Sequence, residues 1–216
     1  MSKIYLLVGI LLFGLSCASK SGVEWRRPTN QLAAEQAKTA FAYIPDTISQ
    51  EAQAVIRMMP DPSLQPERPT PGDIEAWRAA QQEREAFSLE RQKAVVDSLQ
   101  PAVTEMKLGG VPVLEIKPRN WKDNGKVLVY THGGAYTMLS AKSTLGSSAL
   151  MANVTGLRVI SVDYTLAPHA KWQHVTDQVI SVFEALRKQG YAMKDMAIYG
   201  DSAGGGLAAG FRPQNA

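Results

Sequence analysis

The sequence has one cysteine, Cys17, in 216 residues. An intrachain disulfide is therefore excluded, and so is a thiolate metal cluster, which needs several cysteines. Histidine is almost as scarce: His132, His169 and His174 are all there are. No Cys/His cluster has metal-ligand spacing, so no metal is expected, and no organic cofactor is implied. The net charge is only +3. No block of Lys and Arg runs along the chain, and nucleic acid is not expected as a partner. Internal repeats and low-complexity tracts are absent too. What remains, 45% hydrophobic and 20% charged residues, is the composition of an ordinary globular protein long enough for one proper core.

Long apolar runs are missing with one exception. Lys3 precedes a run from Ile4 to Phe13, and Gly14 and Leu15 lead to the small residues Ser16, Cys17 and Ala18. A basic start, a hydrophobic segment of moderate length and small residues after it are the marks of a signal peptide over residues 1–18. The run is too short to span a bilayer comfortably. Two exits are open. Cleavage after Ala18 would release an exported protein. Alternatively, Gly14-Leu15-Ser16-Cys17 resembles a bacterial lipobox, with Cys17 as the lipidated first residue, although Gly14 stands where a larger aliphatic residue is commoner. The expected location is exported: secreted, periplasmic or anchored through a lipidated cysteine, with membrane contact only through that anchor. Oligomeric state is not legible.

Residues 19–45 are polar and mixed and read as a flexible arm. Over 46–100 the pattern is helical. Ile48, Ala52, Val55 and Ile56 recur at helical spacing, and Pro60-Asp61-Pro62 stops the run. The prolines at 60, 62, 66 and 69 make a linker. Thr70-Pro71-Gly72-Asp73 opens a second helix, with Thr70 as cap, Pro71 at the first position and Asp73 as the capping-box acid. Ile74, Trp77, Phe87 and Leu89 punctuate its charged sequence towards Leu99. From 101 to 216 the texture is α/β. Residues 103–106 and 111–116 alternate as two strands around Gly109-Gly110, a hairpin. Residues 126–130, 157–162 and 196–199 are short apolar runs of the kind buried in a parallel sheet. They alternate with helical patterns at 143–154, 173–188 and 203–209. The fold class is α/β, with a mainly parallel sheet flanked by helices.

Gly200-Asp201-Ser202-Ala203-Gly204 fits Gly-x-Ser-x-Gly. The pattern occurs by chance often enough to mean little alone. Here it follows a strand and opens a helix, the setting of a nucleophile elbow. Glycines on both sides let neighbouring backbone pass a sharp turn, and the helix after Ser202 aims free N–H groups and its positive end at the site. A second element, Thr131-His132-Gly133-Gly134-Ala135-Tyr136, follows the strand ending at Tyr130. Its small residues keep the loop open so that amides can point into a cleft. By itself Gly133-Gly134 would be a simple turn. Together with the amide of Ala203, the loop reads as an oxyanion hole.

These segments, with Asp163-Tyr164-Thr165-Leu166-Ala167-Pro168 between them, resemble the hormone-sensitive-lipase-like branch of the α/β hydrolases, a group of carboxylesterases. All three motifs stand in the family's order, and the resemblance covers about residues 45–210. It implies an α/β-hydrolase fold with an N-terminal helical cap over 46–100, and a small-molecule ester as substrate. It makes Ser202 the nucleophile. Gly133, Gly134, Ala135 and Ala203 become the oxyanion-hole residues, with the amides of the last three as donors and Gly133 shaping the loop. His132 becomes a loop-organising residue. The family commonly has a third glycine where this chain has Ala135.

One feature departs from the pattern. A serine hydroxyl needs a base, usually a histidine oriented by a carboxylate, and in this fold the chain order is Ser, then Asp or Glu, then His. Residues 203–216 hold none of these. His169 and His174 lie upstream and read as surface residues, and Asp201 belongs to the elbow. Gly210 and Pro213 break the last helix, and the ending resembles nothing in the family. The expectation is a fragment or truncated frame. Its sheet would be incomplete at the C-terminal side, and it would hydrolyse esters poorly on its own. The alternative function is a non-catalytic exported binding or scaffold protein on a degenerate hydrolase fold.

Overall fold

The structure is a computed structural model that describes residues 43–59 and 67–211. The expected signal peptide, Cys17, nearly all of the arm, and Arg212–Ala216 lie outside the described residues. The chain divides into two compact units, residues 1–67 and 68–216. This division splits the expected helical segment 46–100. Its first helix falls in one unit and its second in the other.

In the first unit, helix α1 spans Gln50–Met58. It starts after Ile48, because Ser49 caps it: its hydroxyl accepts from the Ala52 N–H at 3.2 Å. None of its residues is buried.

In the second unit, helix α2 spans Ile74–Leu99. Here Asp73 is the cap, not Thr70, and its carboxylate accepts from the Ala76 N–H at 3.0 Å. Thr70 instead closes the turn before the helix, its carbonyl accepting from the Asp73 N–H at 3.0 Å. Strands β1 (Ala102–Leu108) and β2 (Val111–Lys117) follow as the expected hairpin. Leu108 and Val111 face each other, so Gly109 and Gly110 form a two-residue turn. Their φ angles, +58° and +83°, are those that favour glycine and match the twist of the flanking strands. Then come β3 (Val127–Thr131), α3 (Leu145–Thr155), β4 (Arg158–Val162), α4 (Trp172–Lys188), a short 3-10 turn at Met193–Asp195, β5 (Met196–Gly200) and α5 (Ser202–Gly210).

The sheet order is β1-β2-β4-β3-β5. The three crossover strands β4, β3 and β5 are mutually parallel. The hairpin joins through antiparallel pairing of β2 with β4, so the sheet is mixed. Among the described residues β5 pairs only with β3, which leaves it at the edge. On one face Val113, Val127, Val129, Ile160 and Val162 pack against Val175, Val179, Val182, Phe183 and Leu186 of α4, with Leu207 of α5. On the other, Leu114, Ile116, Tyr130 and Val159 pack against Ala149 and Ala152 of α3. Covered on both faces, β4 is buried along its whole length, which is why Val159, Ile160 and Val162 do not simply alternate with exposed polar residues.

Candidate active site

The loops that follow β3, β4 and β5 meet at one end of the parallel strands, where crossover folds leave room for ligands. At the β5–α5 turn, Gly200 is the last sheet residue, paired with Thr131, and Ser202 already begins the helix. Ser202 has φ +49°, a left-handed conformation that costs an L-residue about 1–2 kcal/mol. Such a turn persists only when its surroundings hold it. They do so at Gly204. A side chain there would overlap the carbonyl oxygens of Thr131 and His132, so only glycine lets α5 sit against β3. The Thr131 hydroxyl donates to the Gly204 carbonyl at 2.8 Å, and the Gly205 N–H donates to the Asp201 carbonyl at 3.1 Å. The Ser202 side chain is exposed.

The loop after β3 is bent by three consecutive positive φ angles: Gly134 +115°, Ala135 +55° and Tyr136 +60°. The N–H groups of Thr137 and Met138 close it on the Gly134 carbonyl, at 3.0 and 2.9 Å. Asp201 ties this loop to the elbow. Its Oδ1 accepts from the Tyr130 hydroxyl and from the Gly133 N–H at 3.1 Å. The Gly133 amide is therefore committed to Asp201 and does not face the cleft as a donor. Burial pushes the Tyr130 phenol far above its ordinary range, and the bond to Asp201 adds to this, so Tyr130 remains a neutral donor.

His132 is fully buried. Its ring lies flat on Tyr164, with centroids 4.2 Å apart and planes 7° apart. Its Nδ1 is 2.7 Å from the Gly133 carbonyl, which can only accept, so Nδ1 carries the proton. Burial pulls its pKa below the ordinary value and keeps the ring neutral. Among the described residues Nε2 has no partner. The segment after β4 clamps this loop from outside. The Tyr164 hydroxyl donates to the His132 carbonyl at 2.5 Å, the Ala141 N–H to the Asp163 carboxylate at 2.9 Å, and the Ala167 N–H to the Tyr136 carbonyl at 2.8 Å. The three sequence motifs are thus one interlocked hydrogen-bonded assembly.

A cleft of ≈ 260 Å³ is lined by Gly134, Ala135 and Ser202, and by Arg68, Trp77 and Arg84 from the segment before α2 and from α2 itself. The N–H groups of Gly134, Ala135 and Ala203 find no backbone acceptor among the described residues, and that of Ala203 is one of the free amides at a helix start. Amide donors and a hydroxyl beside one cleft can hold a carbonyl oxygen while the hydroxyl approaches its carbon. Not everything expected of a hydrolase converges here. His169 and His174 are exposed, and no histidine or carboxylate is among the described residues lining the cleft. No group of three or more His, Cys, Asp or Glu among the described residues is arranged to hold a metal ion.

Sequence reasoning missed Asp201 as the bracket between the two loops, and Tyr130 and Tyr164 as its supports. The contacts are long-range and leave no periodic signal. It also missed Trp77 and Arg84, although a weak signal existed: residues seven apart share one helix face.

Comparison with known proteins agrees with this fold. Residues 128–213 match the family model described as alpha/beta hydrolase fold. An esterase of Acinetobacter venetianus is 34% identical over 106 residues, covering 49% of this chain and 34% of that relative. Over these residues the chain is similar to the α/β-hydrolase fold family. Within it, the similarity extends to the hormone-sensitive-lipase-like branch. A crystal structure of an esterase from the bacterial hormone-sensitive lipase family superposes with TM-score 0.51 at 25% identity, covering 68% of this chain and 45% of that one. For the esterase E25 the TM-score is 0.60 at 24% identity, covering 76% of this chain and 51% of that one, a likeness of fold. The chain spans about a third of the length of the curated relatives it matches first.

Proposed function

We propose that this chain carries the nucleophile and oxyanion side of a carboxylic ester hydrolase. Ser202 attacks the ester carbonyl, and the amides of Gly134, Ala135 and Ala203 receive the negative charge that forms on its oxygen. An acyl group is left on Ser202, and water releases it. His132 and Gly133 shape the loop, and α2 serves as part of a cap over the cleft. The observation that carries this reading is the left-handed φ of an exposed serine beside the cleft of Gly134 and Ala135. A strained, exposed serine at a strand-to-helix turn has little structural purpose. The relatives named as esterases support a small ester as substrate.

A base is the part this geometry lacks among the described residues. Without one, attack on an ordinary ester is slow, and so is release of the acyl group by water. The 216-residue chain is therefore expected to turn over poorly and to stall after acylation by an activated ester. The test is intact-mass and peptide analysis after incubation with p-nitrophenyl acetate. One acetyl group on Ser202, absent from Ser202→Ala, supports the reading. An unmodified Ser202 in folded protein overturns it. In that case the alternative of an exported binding or scaffold protein stands.

A further inference from the structure

The walls of the Ser202 cleft differ sharply in charge. One wall is uncharged, formed by Gly134, Ala135, Thr137, Met138 and Leu139 of the loop after β3. The other brings Arg68 and Arg84 to the same space, with Trp77 between them in sequence, and no carboxylate is among the described residues lining it. We propose that these two arginines select esters whose acyl group carries a distal carboxylate, that is, half-esters of dicarboxylic acids, over neutral esters of the same length. This rests on Ser202 being the acylated residue.

Several observations converge on this. Arg84 stands on α2, and its guanidinium lies 5.4 Å from the centre of the Phe87 ring. Phe87 thus supports the side chain of Arg84, and stacking on a ring leaves guanidinium edges free for a planar partner. The adjacent acid, Glu85, is engaged elsewhere, its carboxylate accepting from the Ser140 hydroxyl. Trp77 is also fixed: its indole N–H donates to the Thr70 carbonyl at 3.0 Å. The ring therefore offers the cleft an apolar surface, suited to the methylene chain of an acyl group. Asp201, the carboxylate nearest to Ser202 in sequence, is occupied by Tyr130 and Gly133. The cleft is left with a surplus of positive charge, from two guanidinium groups and the start of α5. A guanidinium pairs with a carboxylate in a two-bond geometry that a neutral chain end cannot use. Both arginines are exposed, so the gain is limited by solvent and screened by salt.

The experiment compares the rate at which Ser202 is acylated by mono-p-nitrophenyl adipate and by p-nitrophenyl hexanoate, using intact mass and subtracting the Ser202→Ala background. These esters have equal chain length and the same leaving group. The attack forms the Ser202 Oγ–acyl bond, breaks the bond to p-nitrophenolate, and releases the serine proton to solvent. The adipate should react about five- to tenfold faster at low salt, and the ratio should shrink towards one as sodium chloride is raised to about 0.5 M. Arg84→Gln and Arg68→Gln should each lower the ratio, while Arg187→Gln on α4, remote in sequence, should not. A ratio of one or less in the unaltered chain at low salt overturns the proposal. So does a ratio indifferent to both Arg84→Gln and Arg68→Gln. If neither ester acylates Ser202 in folded protein, the esterase reading itself fails, a result distinguishable from equal reaction of both.

Discussion

Helices α2 and α4 both pack on the same α/β unit, and they do so by opposite means. Helix α4 buries Val175, Val179, Val182, Phe183 and Leu186 against the sheet. Helix α2 is longer and buries no residue at all. It is fastened by polar side chains that reach loop backbone. Gln81 donates to the carbonyls of Thr137 and Ala167, at 2.9 and 3.1 Å. Gln92 donates to the Lys142 carbonyl and accepts from the Gly146 N–H at 2.6 Å. Apolar burial contributes most of a domain's stability, whereas an exposed hydrogen bond trades against one with water. The difference teaches that α4 is anchored in the apolar scaffold, while α2 is held by polar contacts, as the proposed cap would be. Helix α4 unfolds only with the core. Helix α2 is expected to open locally without unfolding the rest, as the proposed cap would require.

Truncating the core side of this comparison gives the largest effect. Phe183→Ala should destabilise the protein by about 3–5 kcal/mol, read by urea denaturation as a lower midpoint. It also removes the ring on which Phe211 stacks, 4.3 Å between centroids. If the midpoint moves no more than for a surface substitution, α4 is not the scaffold helix described.

Cutting the cover's fastenings should do something different in kind. The double variant Gln81→Ala, Gln92→Ala should raise amide hydrogen exchange across α2 about tenfold, equivalent to about 1–2 kcal/mol of local opening. Exchange in β3 and β4 should stay unchanged. Acceleration in the strands as well would erase the distinction between the two helices.

Acid sharpens the contrast through the loop beneath the cover. His132 is held neutral by burial, with its folded-state pKa below the ordinary 6.5. Below that ordinary value the unfolded chain binds a proton that the folded chain refuses. Stability is therefore intact above about pH 6.5 and falls as pH drops from there towards the folded pKa. His132→Phe, which cannot titrate, should flatten that part of the Tm profile between about pH 7 and pH 5. An unaltered slope would mean that other groups carry it.

The smallest effect concerns Ala135, which has φ +55° where glycine is at ease. Ala135→Gly should be neutral or stabilising by up to about 1 kcal/mol, measured by urea denaturation. Destabilisation by more than that amount would show that the methyl group is packed rather than strained.

Much of this was legible in the residues. The hairpin at Gly109-Gly110, the three buried strands and the amphipathic helix over 173–188 follow from periodicity and turn chemistry, and each stands within a few residues of where the pattern puts it. Helix α2 was legible as a helix, and by the family resemblance as part of a cap, but its seat was not: Phe87 and Leu89, which punctuate it, are exposed. Its seat depends on glutamines meeting loop carbonyls more than fifty residues away, and nothing local encodes that. The start of α2 was misjudged because Thr70 and Asp73 are both good caps, and only the turn before the helix chooses between them.

The sequence by itself determined the order of strands and helices, the place of a sharp turn at Ser202 and the small residues around it, because periodicity, propensity and glycine's freedom act locally. Only the tertiary structure decided which groups are committed and which remain free. It gave the Gly133 amide to Asp201, laid His132 flat on Tyr164 and set Arg68 and Arg84 across from Ser202. Those pairings join segments brought together by packing, and no rule of spacing along the chain can foresee them.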